Sequence, residues 1–93
     1  MEENIFIPLG SIVKLKRIKD FVMLVGINQI SDGERFDYSG CVHPYGFIGL
    51  DKLLLFNADQ IEKVIFKGYY DDEAKEHYDD ILWLRQNKEE NNG

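Results

Sequence analysis

The feature that most constrains the fold of this sequence is a pair of strand-like runs joined by an Asp-Gly turn. The first run, FVMLVGINQI (residues 21–30), is apolar at odd and even positions alike, which is typical of a central strand. The second run, RFDYSGCV (residues 35–42), alternates in character with a period of two. Because Asp-Gly favours tight hairpin turns, SDGE (residues 31–34) predicts an antiparallel hairpin between them.

Further short runs flank this hairpin. GSIVKLKRI (residues 10–18) alternates, with Val13, Leu15 and Arg17 predicted on one face, and KLLLFN and VIFKGY have strand character. Gly26 predicts a bulge or a bend, and Asn57 predicts the start of a very short helix. The sequence therefore predicts an α+β, mainly β fold. Its sheet is either a small bent antiparallel sheet or an SH3-like partly open barrel, with 4–5 strands.

The best helical pattern lies in the C-terminal segment, DDEAKEHYDDILWLRQNK (residues 71–88). Acidic residues begin it and Arg85 and Lys88 end it, which suits the helix dipole. We predict a C-terminal amphipathic helix over about 71–88 and a polar tail over 89–93, in a single domain with its core at about 8–70. The stripe at about 100° per residue is Ala74, Tyr78, Ile81, Leu82 and Arg85.

Composition and charge narrow the class of protein. One cysteine among 93 residues cannot form an internal disulfide, and the N-terminal stretch lacks the features of a signal peptide, so we expect a cytoplasmic protein with no membrane span. The net charge of −6 divides into −1 over residues 1–70 and −5 over residues 71–93. Such a surface disfavours nucleic-acid binding. The modest core is compatible with a homodimer.

Cys41 and His43 form the one pair of residues with reactive chemistry at close spacing. In a strand, positions i and i+2 share a face, and a histidine can activate a neighbouring thiol. Two ligands are too few for structural zinc, and Asp37 is too far along an extended strand to orient the pair. The main interpretation is a buried cysteine beside a turn. A small thiol- or metal-dependent enzyme or sensor using Cys41 and His43 remains the alternative.

The remaining patterns give no enzymatic motif. Paired carboxylates lie on or beyond the predicted helix, where a solvated face explains them, and the glycines after His43 do not lead into a helix that could cradle phosphate. We therefore expect no catalytic residues, no cofactor and no metal.

Trp83 is the strongest candidate for a binding residue. It is predicted on the helix face opposite the apolar stripe, between Glu76, Asp79 and Asp80. Exposed tryptophan is favoured at binding hot spots, so these four residues are predicted to contact a protein partner, with addition of a partner strand to an exposed sheet edge as the other route of capture. A wider helix register that turns Trp83 onto the sheet is the alternative.

Three stretches carry a family resemblance: PLGSIVKLK, FDYSGCVHPYGFIG and LLLFNADQIEKVIFKGYYDDE. Together, from Pro8 to Glu73, they resemble the domain-of-unknown-function family 4176, small proteins of mainly Gram-positive bacteria. The resemblance implies no catalytic activity. It implies a gene neighbourhood with type VII secretion components and LXG-type toxins, and hence a cytoplasmic accessory or chaperone-like adaptor for a secreted toxin or a small helical secretion protein. The family pattern requires neither a cysteine at Cys41 nor a histidine at His43.

Overall fold

The computed structural model describes residues 6–91, with side chains for residues 6–87. Within them the strands are β1 (Ile12–Leu15), β2 (Phe21–Ser31), β3 (Glu34–Val42), β4 (Leu54–Phe56) and β5 (Ile61–Phe66), followed by helix α1 (Asp72–Asn91). Single 3-10 turns, Leu50–Lys52 and Ala58–Gln60, precede β4 and β5. The chain divides into two compact units. We call Ile7–Tyr69 the sheet unit, and Phe6 with residues 70–91 the helix unit.

The sheet unit is one open antiparallel sheet with the strand order β4-β3-β2-β1-β5. Each strand pairs antiparallel with its neighbour, and β4 and β5 form the two edges. The prediction of a mainly β, α+β fold with an antiparallel sheet of four or five strands and a C-terminal helix is confirmed.

The β2–β3 hairpin forms as the sequence predicts. Asp32 and Gly33 occupy its turn with φ of 54° and 79°, the pair of positive φ angles that a type I′ turn requires. The register from Ser31 opposite Glu34 to Gln29 opposite Phe36 follows directly from this two-residue turn. The Asp-Gly pair thus sets the pairing of the two longest strands.

The bulge predicted at Gly26 is present in β2. Leu24 lies opposite Gly40, but Gly26 lies opposite Ser39, so β2 holds one extra residue between these pairs. The extra residue shifts the phase of burial, because Leu24 is buried and the next buried position is Ile27 rather than Gly26. Val25 is 41% exposed, so β2 is not buried on both faces along its whole length.

The core of the sheet unit is built mainly from apolar strand residues. Tyr38 and Phe56 lie directly opposite each other on β3 and β4, with ring centroids 6.0 Å apart. The Tyr38 hydroxyl accepts a hydrogen bond from the backbone N–H of Ile7 at 2.9 Å, which satisfies this buried polar group. The buried apolar residues of the unit include Val13, Leu15, Val22, Leu24, Ile27, Tyr38, Cys41 and Phe56.

One residue of the first alternating run departs from its predicted side. Val13 and Leu15 are buried as expected, but Arg17 is exposed. The reason is that β1 ends at Leu15 and the backbone turns at residues 16–17, so the period of two does not extend to Arg17.

The helix unit has an aromatic cluster at its centre. Phe6 and Tyr78 meet edge to face at 6.3 Å, Tyr70 stacks on Tyr78 at 5.9 Å, and the Arg85 guanidinium lies 5.6 Å from the centre of the Phe6 ring. These contacts explain why Arg85 belongs to the stripe, because a guanidinium binds the face of an aromatic ring. Every member of the predicted stripe is buried or half-buried: Ala74, Tyr78, Ile81, Leu82 and Arg85.

The helix is longer than its sequence pattern predicts. It continues to Asn91, three residues beyond the expected end at 88, so residues 89–91 are helical and not an irregular tail. Lys and Glu are good helix formers, and residues 72–92 contain no glycine or proline that would stop the helix. The last two residues of the predicted tail, Asn92 and Gly93, lie outside the described residues.

Candidate functional site

The four residues predicted to contact a partner lie on one face of α1. Their spacing of i, i+3, i+4 and i+7 aligns side chains along a helix, and all four side chains are exposed: Glu76, Asp79, Asp80 and Trp83. We call these four residues the acidic helix face. Trp83 is 60% exposed, so its indole lies largely in solvent beside carboxylates.

Within this face the three carboxylates differ in their partners. The Lys75 ammonium donates a hydrogen bond to Asp79 Oδ2 at 2.8 Å, and this bond, with the charge of Asp79, raises the pKa of Lys75 above its usual value. The pair therefore stabilises the helix while both groups are charged, and this contribution is lost as the pH rises through the raised pKa of Lys75. Glu76 and Asp80 have no ion-pair partner among the described side chains.

The end of the face is tied to the helix backbone by Asn87. Its side-chain amide donates a hydrogen bond to the Trp83 carbonyl oxygen at 2.8 Å. Leu84 is also exposed, at 56%, and follows Trp83 directly in sequence. The helix is therefore less amphipathic than a simple two-sided pattern, because two large apolar residues lie outside its buried stripe.

The two edges of the sheet offer little regular backbone for pairing with another strand. β4 is only three residues long. The pairing of β5 with β1 shifts register twice. Ile65 and Glu62 are the two β5 residues that have no paired residue on β1. Short edges and bulges are features by which proteins prevent a sheet from adding strands.

The Cys41 and His43 pair lies at the end of β3. Cys41 is 2% exposed, whereas His43 is exposed in the turn that follows the strand. Both line a cavity of about 100 Å³, smaller than the roughly 300 Å³ at which small-molecule pockets begin. No group of three or more His, Cys, Asp or Glu residues suited to a metal occurs among the described residues.

Asp37, the nearest acidic residue before Cys41 in the sequence, forms hydrogen bonds with the 3-10 turn before β5. Its Oδ2 accepts the backbone N–H of Ala58 at 2.8 Å, and its own N–H donates to Asn57 Oδ1 at 2.9 Å. We call this reciprocal contact the Asp37–Asn57 clamp. Gln60 completes the turn, because its Oε1 accepts the N–H of Asn57 at 2.9 Å in a capping box. Asp37 therefore fixes β3 to the 3-10 turn before β5.

The glycines of the motif stretches also have structural tasks. A Cβ at Gly40 would lie 2.5 Å from Val22 Cγ1 and 2.9 Å from the Met23 carbonyl oxygen. A Cβ at Gly68 would clash with the Leu9 carbonyl oxygen, and the Gly68 N–H donates to Ser11 Oγ at 2.8 Å. Gly40 and Gly68 thus allow close backbone packing within the sheet unit.

Two features of the sheet unit were not predicted from the sequence. The loop after β3 exposes large apolar side chains, among them Phe47 at 61% and Leu50 at 79%. A groove of about 320 Å³ lies between the β1–β2 connection and the 3-10 turn before β5. Its residues come from distant parts of the sequence, so no local pattern signals it.

None of the helices in the described part of the protein has the length and apolar composition needed to cross a membrane.

Comparisons with known proteins give one clear result. No curated protein and no solved structure matches the sequence. The family model named "Domain of unknown function (DUF4176)" matches residues 6–77, which include all three of the motif stretches up to Glu73. The protein therefore belongs to the DUF4176 family.

Proposed function

We propose that this protein is a non-enzymatic protein-interaction module and that the acidic helix face is its contact with a partner. The observation that carries this proposal is Trp83, which is 60% exposed on a helix whose tyrosine, Tyr78, is buried. Exposing an indole leaves apolar area in water, and tryptophan is among the residues most enriched at binding hot spots.

The charges beside Trp83 indicate the chemistry of the partner. Glu76 and Asp80 flank Trp83 on the same face and lack ion-pair partners among the described side chains. A partner surface with an apolar pocket bordered by Lys or Arg would complement both features. Opposite charges would speed encounter, and burial of the indole would supply most of the affinity.

The helix is a better docking element than the sheet edges. A partner strand added to the sheet needs several regularly spaced backbone groups. β4 has three residues, and β5 departs twice from regular pairing with β1. We therefore place the partner on α1.

Membership of the family suggests the setting for such a module. Following the resemblance, we propose a cytoplasmic accessory or chaperone-like adaptor of a type VII secretion or toxin locus. The partner would be a secreted toxin or a small helical secretion protein that presents a basic surface.

The test is affinity purification of the tagged protein from its own host, with identification of partners by mass spectrometry. The partner recovered is then purified and titrated with wild-type protein and with Trp83→Ala. Because a hot-spot truncation costs about 2 kcal/mol or more, we expect Trp83→Ala to weaken binding by roughly 30-fold. Affinity should also fall as salt is raised from about 0.05 to about 0.5 M, since exposed charges are screened.

Tyr69→Ala is the matched control, because Tyr69 is an exposed aromatic residue (82%) outside the helix. It should bind the partner like the wild type. Equal affinities for wild type and Trp83→Ala, with the helix content of the variant intact by circular dichroism, would refute the role of this face.

A further inference from the structure

We propose that the groove between the β1–β2 connection and the 3-10 turn before β5 binds a carboxylate attached to an apolar group, as in the C-terminal residue of a peptide. The groove has a volume of about 320 Å³, at the lower end of the range for small-ligand sites. It belongs to the sheet unit, so this proposal is independent of the acidic helix face. Its lining residues are Leu15, Lys16, Arg17, Ile18, Asp59 and Gln60.

Two cations supply the carboxylate recognition. Lys16 and Arg17 are adjacent, both are exposed, and both line the groove. Neither side chain has an ionic partner in the part of the protein that the structure describes. An arginine guanidinium matches the two oxygens of a carboxylate with parallel hydrogen bonds, whereas a neighbouring ammonium adds charge without fixed geometry.

The remaining lining residues select what is attached to the carboxylate. Leu15 and Ile18 are the apolar residues of the lining; Leu15 is 4% exposed, so half-buried Ile18 offers most of the apolar surface to an aliphatic side chain. Asp59 lies at the other side of the groove, and its carboxylate can accept an N–H donor such as a peptide amide, whereas the Gln60 Oε1 already accepts the Asn57 N–H. An anion, an apolar group and an N–H donor within one small ligand describe the end of a peptide or a free amino acid.

The position of the groove is fixed by the fold. The Lys16 backbone N–H donates to the Gln60 carbonyl oxygen at 2.9 Å, which joins the two walls directly. The Asp37–Asn57 clamp and the capping box hold the 3-10 turn on the other side. The walls are therefore held in place without a ligand, which lowers the ordering cost of binding.

The experiment is an NMR titration of the full-length ¹⁵N-labelled protein with N-acetyl-L-leucine, which carries all three features. We expect saturable amide shifts at residues 15–18, 59 and 60, with a dissociation constant of about 1 mM for such a small ligand. N-acetyl-L-leucinamide, which lacks the carboxylate, should bind at least about tenfold more weakly. Equal binding of the amide would overturn the proposal, as would the absence of saturable shifts up to about 50 mM, roughly fifty times the expected constant.

Variants test the residues. Arg17→Gln should weaken N-acetyl-L-leucine by about tenfold. Lys19→Gln, an exposed cation of the same connection that does not line the groove, should leave binding unchanged. Unchanged binding by Arg17→Gln would refute the assignment. Free L-leucine separates the sources: binding equal to that of the acetylated form supports a free amino acid, and loss of binding supports the C-terminal residue of a peptide.

Discussion

At the scale of single residues, the Asp37–Asn57 clamp is the contact whose removal should be most informative. Asp37→Ala removes the acceptor of the Ala58 N–H, a bond of 2.8 Å, and leaves that N–H at the start of a 3-10 turn without its partner. Loss of a comparable capping bond costs about 1 kcal/mol. We expect the free energy of unfolding, measured by urea denaturation, to fall by about this amount.

Asp59→Ala is the control for the loss of negative charge. Asp59 lies in the same 3-10 turn, is exposed, and its side chain makes no hydrogen bond or ion pair among the described residues. Its replacement should change the free energy of unfolding by less than about 0.5 kcal/mol. If the two variants lose the same stability, charge and not the clamp is responsible.

Cys41 provides a second test at this scale, because its reactivity distinguishes a core residue from a functional thiol. Its side chain is 2% exposed on β3, opposite Met23. A thiolate must reach the reagent, so native Cys41 should react with a thiol reagent at least about tenfold more slowly than in urea. Similar rates in the two states would instead favour a thiol-dependent role for Cys41 and His43.

At the scale of elements, local signals predicted the structure where a few consecutive residues decide the conformation. Asp32 and Gly33 set the hairpin, Gly26 marks the bulge, and Asn57 begins the 3-10 turn with its capping box. Each signal acts within about five residues, so it can be recognised without knowing which strands become neighbours.

The features that the sequence did not predict depend on contacts between distant residues. Asp37 and Asn57 are 20 positions apart, and Arg17 and Asp59 line one groove only because β1 and β5 pair. The candidate face on α1 was predictable because helical periodicity alone aligns its members. Pairing across the sheet requires the topology, and a single sequence contains no direct signal for it.

Gly40 tests the packing of three neighbouring strands. A Cβ there would lie 2.5 Å from Val22 Cγ1 on β2 and 3.3 Å from Phe56 Cε1 on β4, with the Met23 carbonyl oxygen at 2.9 Å. Because a backbone oxygen cannot turn aside, Gly40→Ala should overpack the sheet and lower the free energy of unfolding by about 1–3 kcal/mol. Thermal denaturation followed by circular dichroism measures this loss.

Gly33→Asn is the control that separates packing from backbone freedom. Gly33 has a φ of 79°, and nothing lies within 4 Å of a Cβ built there. Asparagine tolerates positive φ in turns, so this variant should stay within about 1 kcal/mol of the wild type. A larger loss for Gly33→Asn than for Gly40→Ala would contradict the packing explanation.

At the scale of the whole molecule, charge is divided between segments with different roles. Residues 7–69 contain 8 Lys and Arg and 7 Asp and Glu, which gives a net charge of +1. Residues 70–93 contain 3 Lys and Arg and 8 Asp and Glu, which gives a net charge of −5. The cations of the sheet unit include Lys14, Lys16, Arg17 and Lys19, all in or beside the β1–β2 connection. This local excess is the one feature of the charge pattern that could attract phosphate.

The neighbours of these cations argue against nucleic-acid binding. The Lys14 ammonium lies 3.5 Å from Glu62 Oε1, and Asp59 shares the groove with Lys16 and Arg17. Because affinity for nucleic acid grows with the number of phosphates that cations neutralise, acids among the cations weaken it. We expect the protein to flow through immobilised single-stranded DNA and RNA at about 0.15 M salt.

A double variant shows whether those acids are the cause. Asp59→Asn with Glu62→Gln removes two negative charges beside the cations and should delay elution from the same columns at about 0.05 M salt. Salt-sensitive retention of the wild-type protein at the higher salt concentration would contradict the expectation. Flow-through of the wild type with delayed elution of the double variant would show that the β1–β2 connection is basic in composition, yet its acidic neighbours offset the attraction to a nucleic-acid backbone, which depends on several phosphates being neutralised at once.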